Sequence, residues 1–150
     1  MKWYFLILSV ITLAFVFIRY RPKKKPKYPY KKALLKSDEI EFMSMLNNYR
    51  NDNGRAWLIA DHWSSILCYD HVKYMIGEQK PSHDFLDNRR SELALMGATE
   101  INEISNGEFH TIKTSFQGFK KSESHNRAML DLKVNTVGIA IKQDSDGKYY

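Results

Sequence analysis

A sharp change of chemistry near residue 33 divides this chain into a part that cannot build a water-soluble core and a part that can. Trp3 to Ile18 is an apolar run interrupted only by Ser9 and Thr12. The stretch after it, Arg19 to Lys32, holds eight cations, no acid and three of the four prolines. Prolines and like charges keep such a segment extended and solvated. Residues 33–150 are long enough for one ordinary core. They carry 14 Lys+Arg against 17 Asp+Glu, so the +6 of the whole chain comes from the leading segment. With no basic field around the domain, nucleic acid is not an expected partner. Cys68 is the only cysteine, so no intramolecular disulfide braces the fold.

A helix over Trp3–Ile18 would reach roughly 24 Å, slightly less than a ~30 Å hydrocarbon core. Trp3, Tyr4 and Tyr20 suit the two interfaces, and Arg19 can snorkel. Lys2 followed by an apolar run also fits a cleaved signal peptide, but Phe17 to Arg21 offers no small-x-small cleavage pattern. A single-pass anchor over 1–20 is therefore expected, with a cleaved signal or a buried core helix as alternatives. A basic linker over 21–36 follows. Its charges at Arg19–Lys32 can meet anionic lipid head groups, or act simply as a stop-transfer flank. Charge asymmetry alone would keep the domain in the cytoplasm.

Within 37–150, Ser37 or Asp38 can cap a helix through Arg50, with Ile40, Met43, Leu46 and Tyr49 as its apolar stripe. Asn51-Asp-Asn-Gly54 ends it. A second helix runs from a cap near Asp61 to about Ile76, and Trp63, Ile66, Leu67, Tyr69, Val72 and Met75 predict a broad buried face. A short helix includes Leu93 and Leu95. Thr99–Ser105 reads as a strand closed by the turn signal Asn106-Gly107. Ile112, Phe116 and Phe119 mark an amphipathic helix after Thr111, and Ser122 can cap another turn. Val134–Ile141 alternates as a strand, with Val137, Ile139 and Ile141 facing one way. Asp144-Ser-Asp-Gly147 predicts a hairpin turn. Helices first and paired strands late point to an α+β fold.

The order of these segments resembles the CAP superfamily (cysteine-rich secretory proteins, antigen 5 and pathogenesis-related 1 proteins), closest to its small bacterial SCP-like extracellular domains. Leu46-Asn-Asn-Tyr-Arg50 is similar to the family's N-x-x-R region. Ser82-His83-Asp84-Phe85 resembles its first histidine motif, and Asn102-Glu103-Ile104 its G-E-N motif. Phe119 to Leu130, with Ser122-Glu-Ser-His125, resembles W-x-x-S-P-G-H-x-x-x-I-L. Thr136-Val-Gly-Ile-Ala140 resembles the strand that follows. The resemblance implies a three-layer α-β-α sandwich with a central antiparallel sheet, and an exported domain. The family's last strand would fall where this chain stops.

By the same resemblance, His83 and His125 match the family's two cleft histidines and Glu103 its first glutamate. Ser122 stands at the second glutamate, and Asn102 replaces a glycine. Two imidazoles and one carboxylate suffice in principle for Zn²⁺ or another divalent metal with an open position. Without metal, an imidazole beside a carboxylate favours its protonated form, while His125 at a helix start disfavours it, so the pair could split its protonation. The same groups could equally be a structural brace. No H-E-x-x-H, G-x-S-x-G or phosphate loop is present. The expected function is a non-enzymatic cleft for a lipid, peptide or cell-wall ligand, with a metal-assisted hydrolase as the alternative. Arg89-Arg90 could hold an anion over the cleft, or pair with Asp87 or Glu92. Cys68 reads as a buried inert thiol, and His71 as a hydrogen-bonded core or surface group rather than a ligand.

Overall fold

A computed structural model describes residues 28–150; the expected anchor at Trp3–Ile18 and most of the cationic run lie outside the described residues. Helix α1 spans Ser37–Asp52, strand β1 Ile59–Ala60, helix α2 His62–Glu78 and helix α3 Leu86–Leu95. Helix α4 spans Ile112–Lys121, helix α5 Glu123–Met129 and strand β2 Thr136–Val137. The class is α+β. Among the described residues no helix is long and apolar enough to cross a membrane.

The sheet departs from expectation. β1 and β2 pair in parallel, Ile59 opposite Thr136 and Ala60 opposite Val137, and they form a two-stranded sheet. Antiparallel pairing is confined to isolated bridges, such as Phe109–Tyr149 and Gln143–Tyr149. The central antiparallel sheet implied by the resemblance is therefore not formed among the described residues. Thr99–Ser105 is irregular rather than a strand. Its side chains are committed to tertiary contacts instead, Glu103 to Arg89 and Ser105 to the Ser82 carbonyl. The strand expected over Val134–Ile141 forms only at Thr136–Val137, but the two faces of the segment still pack on different clusters. Ile139 is in the main core with Val137 and Ile141 packed beside it, whereas Ala140 packs on a second cluster. The hairpin at Asp144–Gly147 forms, closed by paired bonds between Lys142 and Tyr150 at 3.1 and 2.8 Å.

The main core joins α1, α4 and α5. Phe42 meets the rings of Phe116 and Phe119 edge-on at 5.6 and 5.9 Å, near the favoured geometry of aromatic pairs. Leu46, Leu58, Ile112 and Met129 fill the space between them. Val72, Met75 and Tyr150 form the smaller cluster beside α2.

Two helix faces differ from their predicted stripes. On α1 the buried positions are Glu39, Phe42, Leu46 and Arg50, while Ile40 is 55 % exposed. Polar bonds explain the shift. Glu39 accepts the Lys36 N–H at 2.8 Å, so the helix is capped from Lys36 rather than from Ser37 or Asp38. At the other end, the Arg50 guanidinium donates to the carbonyls of Ala56, Met129 and Asp131 at 2.8, 2.6 and 3.1 Å. On α2 only His71, Val72 and Met75 are buried, so the broad apolar face narrows to one edge.

Asp61 caps α2 as expected and does more. Its carboxylate, fully buried, accepts from the Ser64 N–H at 3.0 Å, the Ser64 hydroxyl at 2.8 Å and the Tyr28 hydroxyl at 2.5 Å. Around it the chain from Tyr28 to Ala33 is laid onto the domain. Trp63 Nε1 donates to the Pro29 carbonyl, His62 N–H to that of Lys31, and Ala33 N–H to that of Ala60. Packed structure thus begins inside the segment read as linker.

Candidate functional site

His83 sits in the tight turn between α2 and α3. Its carbonyl accepts the Leu86 N–H, and Phe85 beside it takes a left-handed backbone, φ +59°. Such a conformation is uncommon for a bulky residue. Tyr74 on α2 holds the turn from below, donating to Asp84 at 2.9 Å and packing edge-on against Phe85. Glu103 arrives from the irregular segment after α3, and His125 from the first turn of α5.

These three groups come together. His83 Nδ1 lies 3.0 Å from Glu103 Oε1, and the rings of His83 and His125 are 6.3 Å apart. An ionised carboxylate can only accept, so the His83 hydrogen sits on Nδ1 and Nε2 is that ring's remaining polar atom. Ser122 is not drawn into the group by any recorded bond. It precedes α5 without a side-chain cap, and its hydroxyl pairs with that of Ser124 at 3.2 Å.

Glu103 has a stronger partner than either histidine. Arg89 Nε and Nη2 donate to its two oxygens at 2.7 Å each, a bidentate fork, and Nη1 donates to the Asp84 carbonyl. The alternatives weighed for Arg89 are thus replaced by Glu103; Arg90 is the one beside Asp87, at 4.0 Å. Burial alone would raise the Glu103 carboxyl, but Arg89 and then His83 outweigh it and hold it below its ordinary value. His125 is lowered, first by burial against Phe119 and then by the nearby His83. The expectation that His125 resists its charged form holds in direction.

His71, read as a hydrogen-bonded core or surface group, is buried and part of the same network. Its Nε2 donates to the Ser82 carbonyl at 2.8 Å and lies 4.0 Å from Glu103 Oε1. The hydrogen on Nε2 leaves Nδ1 as a bare acceptor, buried and without a partner among the described residues. Glu103 and His71, with Ser105, Asn106 and Ser115, form polar parts of the lining of a partly open cavity. Phe42, Val72, Met75, Phe119 and Ile139 supply much of its apolar wall. Cys68 also lines it, with its thiol pushed up to about 12 by burial and then by Glu103, so it is no thiolate nucleophile.

The donor set does not fit a metal. Both Glu103 oxygens are taken by a guanidinium whose charge would repel a divalent ion. Among the described residues no group of three His, Cys, Asp or Glu is arranged to hold one. Arg89 and His71 are the site residues that motif reading left aside. The signal available for His71 was its place one turn of helix before Met75, on the buried edge. For Arg89 nothing local pointed to Glu103, 14 residues away. Against known families, residues 43–150 match the family described as CAP, cysteine-rich secretory protein family. No curated protein and no solved structure matches the chain.

Proposed function

The chain belongs to the cysteine-rich secretory protein family, and from that membership we propose that it is a non-enzymatic binding module. The observation that carries this is the Arg89 fork, which leaves Glu103 neither a free ligand for metal nor an available base. What the site offers instead is hydrogen-bonding at His83 Nε2, His125 and His71 Nδ1, beside an apolar cavity. A ligand with an apolar body and a hydroxyl or amide end suits it, whether lipid, peptide or cell-wall component.

A fluorescent polyene fatty acid titrated into the full chain tests the cavity. Saturable emission is expected, and Ile141→Trp, on the cavity wall, should abolish it while leaving circular dichroism unchanged. Absent binding, or binding indifferent to Ile141→Trp, would remove the proposal. A divalent-metal hydrolase, the second reading, would need Arg89 displaced from Glu103 beside the His83 and His125 rings. Adding Zn²⁺ should leave the melting temperature unchanged. A zinc-dependent rise, with metal retained in elemental analysis, would transfer the function to that reading.

In the same reading Trp3–Ile18 is an uncleaved anchor that displays the domain outside the membrane. The cationic run before Lys31 meets anionic lipid; Lys31 itself lies over the Trp63 ring. Protease added to intact cells should degrade the domain. Protection would put it on the cytoplasmic side.

A further inference from the structure

Away from the cavity, three lysines from distant parts of the chain converge on one phenol. Lys36 precedes α1, Lys73 shares α2 with Tyr69, and Lys142 follows β2 in the terminal hairpin. Their ammonium groups lie 4.9, 4.7 and 4.8 Å from the centre of the Tyr69 ring. No two can then be more than about 10 Å apart, within one Debye length at ~0.1 M salt, so they repel each other with little screening.

A ring has two faces, so its quadrupole does not offer each of three cations a face of its own. Lys73 has a partial counter-charge in Asp70 at 3.5 Å, both side chains largely exposed. Neither Lys36 nor Lys142 has a carboxylate within ion-pair distance among the described residues. The Lys142 ammonium, with Lys36 and Lys73 adding to it, lowers the Tyr69 hydroxyl below its ordinary range. The arrangement concentrates positive charge and hydrogen-bond donors around one ring.

We propose that Lys36, Lys73 and Lys142, with the Tyr69 hydroxyl, form a binding site for a phosphate group. Lysine ammonium groups are compact charges with rotatable donors, which suit the tetrahedral oxygens of a phosphate ester. The three elements that supply them are held by other contacts. Lys36 is tied to Glu39 through its N–H, and Lys142 to Tyr150 through paired backbone bonds. The phosphate can come from a phospholipid head group or from a soluble ester.

The test is a titration of the full chain at constant ionic strength, followed by the side-chain NMR signals of its lysines and of Tyr69. Inorganic phosphate should shift Lys36, Lys73, Lys142 and Tyr69 saturably, where chloride does not, and K142Q should weaken binding about tenfold. Monomeric short-chain phosphatidylglycerol provides the second arm. Saturation at lower concentration than inorganic phosphate assigns a lipid source, and saturation only with inorganic phosphate a soluble one. K142Q should melt no lower than the parent in phosphate-free buffer, since it relieves repulsion. Shifts that fail to saturate with either probe, or that spread equally over all lysines, would overturn the site. So would a K142Q that melts lower and binds phosphate unchanged, for the lysines would then be packing groups only.

Discussion

Single residues of the family motifs prove to be fasteners of backbone as often as parts of the cleft. Asn47 reads the Leu58 peptide in both directions, donating to its carbonyl at 3.1 Å and accepting its N–H at 2.9 Å. Arg50 ties three carbonyls across α1, the following loop and the end of α5. Arg50→Met should therefore destabilise by about 3 kcal/mol, since it orphans buried acceptors, and Arg50→Lys by about 2, because an ammonium lacks the fork. Urea denaturation of both variants checks the order. Gly138 is equally constrained. A Cβ there would stand 2.3 Å from the Ser64 backbone carbon, where β2 runs against the start of α2. Gly138→Ala should push these elements apart and lower the melting temperature more than any exposed alanine substitution.

At the scale of elements, the joint between the entering chain and α2 turns on Asp61. Asp61→Ala should uncap α2, a loss of about 1–2 kcal/mol, and also release Tyr28–Lys32. Hydrogen exchange would show it as fast exchange at the His62 and Ala33 amides, with α5 unchanged. Elements whose signals are local were legible in the sequence: the Asp61 cap, the stripe of Ile112, Phe116 and Phe119, and the Asp144–Gly147 turn. Those that depend on partners were not. Thr99–Ser105 has strand composition, yet it lies irregular because Glu103 and Ser105 find polar partners in other segments. Ile40 fits an apolar stripe, but burial of Glu39 and Arg50 rotates the helix away from it. His83, Glu103 and His125 were recognisable through motif order, whereas Arg89 closes on Glu103 only in three dimensions.

For the molecule as a whole, acid sensitivity follows from the cleft. His125 is lowered from 6.5 in the fold, so the unfolded chain takes up a proton more readily. Stability is then complete above 6.5 and declines as pH falls below it; Glu103, lowered from 4.5, adds a second decline below that value. Melting temperature against pH should show both, and His125→Asn should flatten the first while sparing the second. The docking of Tyr28–Ala33 has a mechanical consequence. Tension arriving along the amino-terminal chain meets the Tyr28–Asp61 and Trp63–Pro29 bonds first, and then the His62–Lys31 and Ala33–Ala60 bonds. Load enters at the head of α2, and the bonds that carry it are not those that hold the His83 turn.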